Sequence, residues 1–171
     1  MTEHTPHTEE NVTLGFWVYI MSDCVLFAAL FATYAILHTA TFGGETGQEL
    51  FSFPLVFSET LILLTSSFTV GLALLAAHQG RKNLTLAFLF LTLLLGKAFL
   101  VIEMWEFRHL ILEGNGPTAN AFLSSFFTLV GTHGLHVALG LLWMVALMVH
   151  VWMRGLTPSL MRKLLCLGIF W

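Results

Sequence analysis

Apolar residues in this chain gather into long runs, with neither the three-to-four spacing of a surface helix nor the alternation of a half-buried strand. Four runs, at about residues 14–38, 54–78, 84–107 and 122–152, each reach the roughly 20 residues a helix needs to cross hydrocarbon. A fifth begins near Leu164, after "TPSLMRK", and reaches Trp171 after eight residues, too few to span. The connections are short and rich in helix breakers. "TATFGGETGQELFSF" carries Gly43, Gly44 and Gly47, "QGRKN" follows the second run, and "EGNGPTAN" sets Pro117 after a glycine pair. The pattern predicts an all-α integral membrane protein, a transmembrane helix bundle with four complete spans plus a truncated fifth. Residues 1–13 read as a polar N-terminal tail and 14–171 as a single transmembrane helical domain, with no internal repeat.

Composition sharpens this. The chain is 57% hydrophobic and 10% charged, where soluble domains carry about 25% charged residues. A net charge of −3 offers no basic surface for nucleic acid. The tail has no Lys or Arg and the first apolar run is long and Phe-rich, so it reads as a retained span rather than a cleaved signal. Cys24 and Cys166 both sit in apolar runs and suggest no disulfide framework. With the N-terminus cytoplasmic, Arg81, Lys82, Arg154, Arg162 and Lys163 fall on the cytoplasmic side and Arg108 alone opposite, the bias expected of that orientation.

Ionisable residues inside spans are expensive and mark candidate sites. Here they are Asp23, Glu59, Lys97, Glu103, Glu106, His133 and His136. At 1.5 Å rise per residue, Asp23 on the first span and the two histidines on the fourth fall at a similar depth, which predicts an Asp23–histidine cluster. The same reckoning puts Glu59 level with Lys97, a candidate packing pair, and Glu103 and Glu106 near the outer boundary in a solvated role. The motif "GTHGLHVALG" places His133 and His136 on one helix face. They could ligate a metal or haem, belong to a proton path, or bond neighbouring helices. A haem needs a second axial ligand, and His4, His7, His38, His78, His109 and His150 lie in the tail or near span ends. Zinc or copper needs further soft ligands, and only Cys24 is near in depth. Gly131, Gly134, Ala138 and Gly140 form a small-residue seam for close helix approach. Hydrogen bonding between helices is therefore the favoured role, and no catalytic, cofactor-binding or metal-ligating residue is expected. Trp17, Trp105 and Trp152 sit near span ends as interfacial anchors, with Trp143 deeper.

Several stretches together resemble one family: "GFWVYIMSDCVLFAALFATYA", "ETLILLTSS", "EMWEFRHLI", "GNGP", "FLSSFFTLVGTHGLHVALGLLWM" and "RGLT". Over nearly its whole length the chain is similar to subunit III of the haem–copper respiratory oxidases, in the bacterial quinol-oxidase branch of the cytochrome bo type. The resemblance implies an accessory subunit of a proton-pumping ubiquinol oxidase with no redox centre of its own. It implies haems and copper in the partner subunit I, further partners in subunits II and IV, and phospholipid held in a cleft between the first two spans and the rest. It implies a bacterial inner-membrane location and support for sustained proton uptake by subunit I. Asp23 occupies the position of the family's carbodiimide-sensitive carboxylate, and Glu103, His133 and His136 match family positions. Lys97 does not belong to the family pattern, and the family continues past Trp171 with the rest of its last span. The competing reading is a small proton-coupled transporter or channel with an intramembrane Asp/His relay, although inverted repeats and broken helices are missing from the sequence.

Overall fold

The computed structural model describes residues 6–40 and 53–171; residues 1–5 with His4, and 41–52 with Gly43, Gly44 and Gly47, lie outside the described residues. Five helices follow in order: α1 (Pro6–Leu37), α2 (Phe53–His78), α3 (Lys82–Leu112), α4 (Ala121–Arg154) and α5 (Pro158–Phe170). The first four contain apolar stretches long enough to cross a membrane, and among the described residues all regular structure is helical. Boundaries differ from the sequence reading at α1, at α3 and at α5, which opens at Pro158 rather than near Leu164. Helix α1 begins at Pro6, inside the stretch read as a tail, because proline's fixed φ suits the first helical turn, where its missing N–H costs nothing. Helix α3 runs to Leu112, beyond the expected 107, since the apolar stretch "HLIL" lets the helix continue to the positive-φ turn at Gly114 (φ 87°).

Lipid tails are as apolar as Leu, so these helices gain their association from close packing and polar contacts rather than from water exclusion. The pattern of buried positions shows how. On α2 the residues facing inward are Ser66, Thr69, Val70, Ala73, Ala76 and Ala77, all small. On α3 they are Thr85, Leu89, Thr92, Gly96, Phe99, Glu103 and Leu110. These two seams close against one another through a tight turn at Gly80 (φ 71°), and the hydroxyls of Thr69 and Thr92 bond at 2.7 Å across them. Helix α4 lies along α3, and Lys82 Nζ donates to the carbonyl of Trp152 near the end of α4 at 2.9 Å.

Helix α5 is short but fully integrated. Thr157 accepts from the N–H of Leu160 at 3.3 Å and Pro158 opens the helix. Its inward residues Leu160, Leu164 and Leu167 join Val70, Ala73, Ala77, Leu89, Met144, Leu147 and Val151 in the main apolar core. All ten come from α2 to α5. Among the described side chains α1 contributes none, and it packs on α4.

Candidate functional site

The polar residues inside the bundle fall into two groups. The first lies between α1 and α4. Asp23 Oδ2 stands 3.0 Å from His136 Nδ1, and the pair is about one-fifth exposed on each side. The other ring nitrogen of His136, Nε2, is 3.3 Å from the carbonyl of Phe170 at the end of α5. A carbonyl only accepts, so Nε2 carries a proton. Nδ1 then either accepts from a neutral Asp23 carboxyl or donates to its carboxylate. Both arrangements are neutral overall and share one proton, which limits the cost of placing two ionisable groups in an apolar setting. The Phe170 ring stacks on His136 with centroids 4.1 Å apart and an interplanar angle of 7°. His133 sits one turn away, its ring parallel to that of His136 at 6.4 Å and met edge-on by Phe27 and Phe99.

A cavity of about 570 Å³ opens beside this pair. Asp23, Cys24, Phe27 and Phe31 of α1 line one wall, and Leu63 and Ser66 of α2 the other. Leu129, Val130, His133, His136 and Val137 of α4 form the floor, and Trp171 closes an end. The size is within the range of about 300–1,000 Å³ common to ligand sites, and so is the chemistry, mostly apolar with a few polar groups. Because α2 is committed to α3, the space is left between α1 and α2, over α4.

The second group is acidic. Glu103 is 3% exposed, not a solvated boundary residue, because α3 continues past it for two more turns. Its carboxyl oxygens occupy the room left by Gly134, where a Cβ would come within 2.8 Å of both. Glu59 of α2 and Glu106 of α3 stand near enough for their charges to act on one another and on Glu103. Lys97 is not brought to Glu59: it is exposed, and among the described residues no ion pair joins them. The Thr69–Thr92 register sets Glu59 opposite Glu103, about a turn beyond Lys97, and Lys97 lies off the inward seam of α3. Among the described residues no three His, Cys, Asp or Glu side chains are arranged to hold a metal ion.

Sequence reasoning missed the part played by the chain's last residues. The Trp171 indole N–H donates to Ser66 Oγ at 3.1 Å, and its ring fills the space over Gly96 and Gly140. The glycines at 134 and 140 thus admit side chains from α3 and α5 rather than a bare backbone. The spacing of Leu160, Leu164 and Leu167 was the available signal that α5 packs along one face.

The model of the family described as cytochrome c oxidase subunit III matches residues 1–160. The chain belongs to that family. Within it, the chain is 54% identical to cytochrome bo(3) ubiquinol oxidase subunit 3 of Pseudomonas aeruginosa, over 99% of this chain and 81% of that protein. It is 48% identical to the protein of the same name from Pseudomonas putida, covering 95% of this chain and 78% of the relative. It is 40% identical to the probable quinol oxidase subunit 3 of Staphylococcus aureus strain USA300, with 96% and 83% covered. Every intramembrane ionisable residue named above lies inside the family match, whereas the Phe170–Trp171 corner lies beyond it.

Proposed function

We propose that this subunit III family member is the accessory transmembrane subunit of a proton-pumping ubiquinol oxidase in an aerobic respiratory chain. It carries no redox centre, binds phospholipid, and supports a subunit I that holds the haems and copper, with subunits II and IV as further partners. It sits in a bacterial inner membrane with its N-terminus cytoplasmic. The observation that carries this reading is the extent of similarity to relatives named as ubiquinol oxidase subunits, at 54% identity over 99% of the chain. The cavity supports the lipid part. Its walls are mostly apolar, which suits an acyl chain, and a neutral proton-sharing pair at its side imposes no net charge on that chain.

Gentle detergent extraction followed by native mass spectrometry tests the proposal. The expected result is co-isolation with haem-bearing subunits and retained phospholipid, with no Soret band in the separated chain. Recovery of the chain as a free assembly, or a stoichiometric haem within it, would overturn the reading. The free assembly is also the result expected of a transporter using Asp23 and His136 as a relay. Delipidated complex is expected to lose activity faster during turnover than lipid-replete complex, and equal durability would count against the lipid site.

A further inference from the structure

The acidic group on α2 and α3 is separate from the cavity and from the Asp23–His136 pair. Glu59 stands ten residues before Thr69, and Glu103 eleven after Thr92, so the Thr69–Thr92 bond places them level across the α2–α3 hairpin. Glu106 follows Glu103 by one helical turn on the same face. Acidity alone would mean little here. The group is also enclosed: Glu103 is 3% exposed, and both of its carboxyl oxygens, with Glu59 Oε1, are buried and receive no hydrogen bond from any described residue. Gly134 of α4 closes the far side.

The charged neighbours do not relieve this. From α2 the facing ionisable group is Glu59 itself. From α4 it is His133, whose ring is directed at Phe27, Phe99 and His136. On α3, Lys97 and Arg108 are exposed. On α1, Asp23 is engaged by His136. No guanidinium or ammonium group of a described residue bonds the enclosed oxygens, and among the described residues no three His, Cys, Asp or Glu side chains are arranged to hold a metal ion. Carboxylates desolvated together repel strongly and cannot all remain ionised. The ligand small enough to enter is a proton. Each proton bound cancels one charge and turns one oxygen into a donor toward a neighbouring carboxylate.

We propose that Glu59, Glu103 and Glu106 form an intramembrane proton-storing site that holds at least one exchangeable proton in common at neutral pH. None of the three glutamates lines the cavity.

Infrared spectroscopy of the whole detergent-solubilised complex tests it, in H2O and in D2O at neutral pH. The wild type is expected to show a carboxylic C=O band that shifts in D2O. Glu103→Gln, nearly the same size and shape, should abolish or displace that band. Should that variant fail to assemble, Glu59→Gln, at the less buried end, should displace or abolish the same band. A spectrum unchanged by either substitution would mean that these residues carry no proton. A band that responds to substitution but not to D2O would mean a trapped proton rather than a stored one. Either result overturns the proposal.

Discussion

Helix α1 and the body formed by α2 to α5 solve the same problem differently. Within the membrane-crossing stretches, 33% of α2 and 28% each of α3 and α4 are buried, but none of α1 is. The body is joined by small residues that let helices close on one another and by rings set into glycine notches. Over residues 14–37, helix α1 has no buried seam. Val18, Met21, Val25 and Ile36 are exposed, and its inward contacts are a few rings and one polar pair: Phe16 on Trp143, Tyr19 on Phe170, Phe27 on the histidines, Tyr34 on Phe122, and Asp23 on His136. Shape complementarity holds the body; discrete polar and aromatic contacts hold α1. The cavity exists because the second kind of attachment leaves space beside it.

The largest expected effect comes from filling a notch in the body. A Cβ at Gly96 would stand 2.8 Å from Leu141 Cδ2 and from Trp171 Cη2, and one at Gly140 2.9 Å from Phe170 Cε1. Gly96→Val should cost about 1–3 kcal/mol through overpacking, read as a lowered midpoint of thermal unfolding in detergent. Gly71→Ala on α2, with nothing within 4 Å of its Cβ, is the control and should not lower the midpoint. Equal effects of the two would mean that the notch at Gly96 is not closely filled.

A smaller effect should come from the contact that anchors α1. Asp23→Leu leaves His136 Nδ1 without its partner and should cost about 1–2 kcal/mol. Asp23→Asn can still bond the ring and should cost under about 1 kcal/mol. The global unfolding midpoint should move little in either variant, because α1 supplies none of the main core. Proteolysis or hydrogen exchange confined to α1 should report the loss instead. Cooperative unfolding of the whole bundle in Asp23→Leu would show that α1 is not a separately held element.

Much of this division was legible in the sequence. Four spans follow from run length alone, and depth at 1.5 Å per residue sets Asp23 level with His133 and His136 without choosing between them. What depth does not convey is azimuth. Glu59 and Lys97 were matched by level, yet the inward face of α3 is defined by the spacing 85, 89, 92, 96, 99, 103, and Lys97 is off it while Glu103 is on it. Glu103 looked interfacial because the span was ended at 107, where the charges thin the hydropathy, although the helix continues to Leu112. The role of Phe170 and Trp171 was hidden because a segment too short to span was judged by length and not by what its apolar face could reach.

Within the body, the Thr69–Thr92 bond offers a test of how polar contacts behave in a close-packed seam. Each hydroxyl has one proton and also lies near a carbonyl of its own helix, at 2.8 and 2.9 Å, so one donates across the seam while the other donates within its own helix. Each single Thr→Val change should therefore cost about 0.5–1.5 kcal/mol. The double change should cost less than the two together, since neither hydroxyl is then left facing an apolar neighbour. Strict additivity would mean that the hydroxyls act only on their own helices and do not fix the register that sets Glu59 opposite Glu103.

The smallest expected effect is at Lys97, and it tests that register directly. If α2 and α3 pair as the Thr69–Thr92 bond requires, Lys97 has no carboxylate to lose. Lys97→Gln should then change the stability of the bundle by no more than about 0.5 kcal/mol, the usual range for a surface substitution. A double-mutant cycle of Lys97→Gln with Glu59→Gln should give a coupling energy near zero, whereas Glu59→Gln with Glu103→Gln should not be additive, because those two carboxyls act on each other's charge. A pairing of α2 and α3 shifted by about a turn and rotated so that position 97 faced inward would reverse both results. It would bring Glu59 to Lys97, carry Glu103 away from Glu59, and part the two threonines at once, so the three measurements must agree with one register or the other.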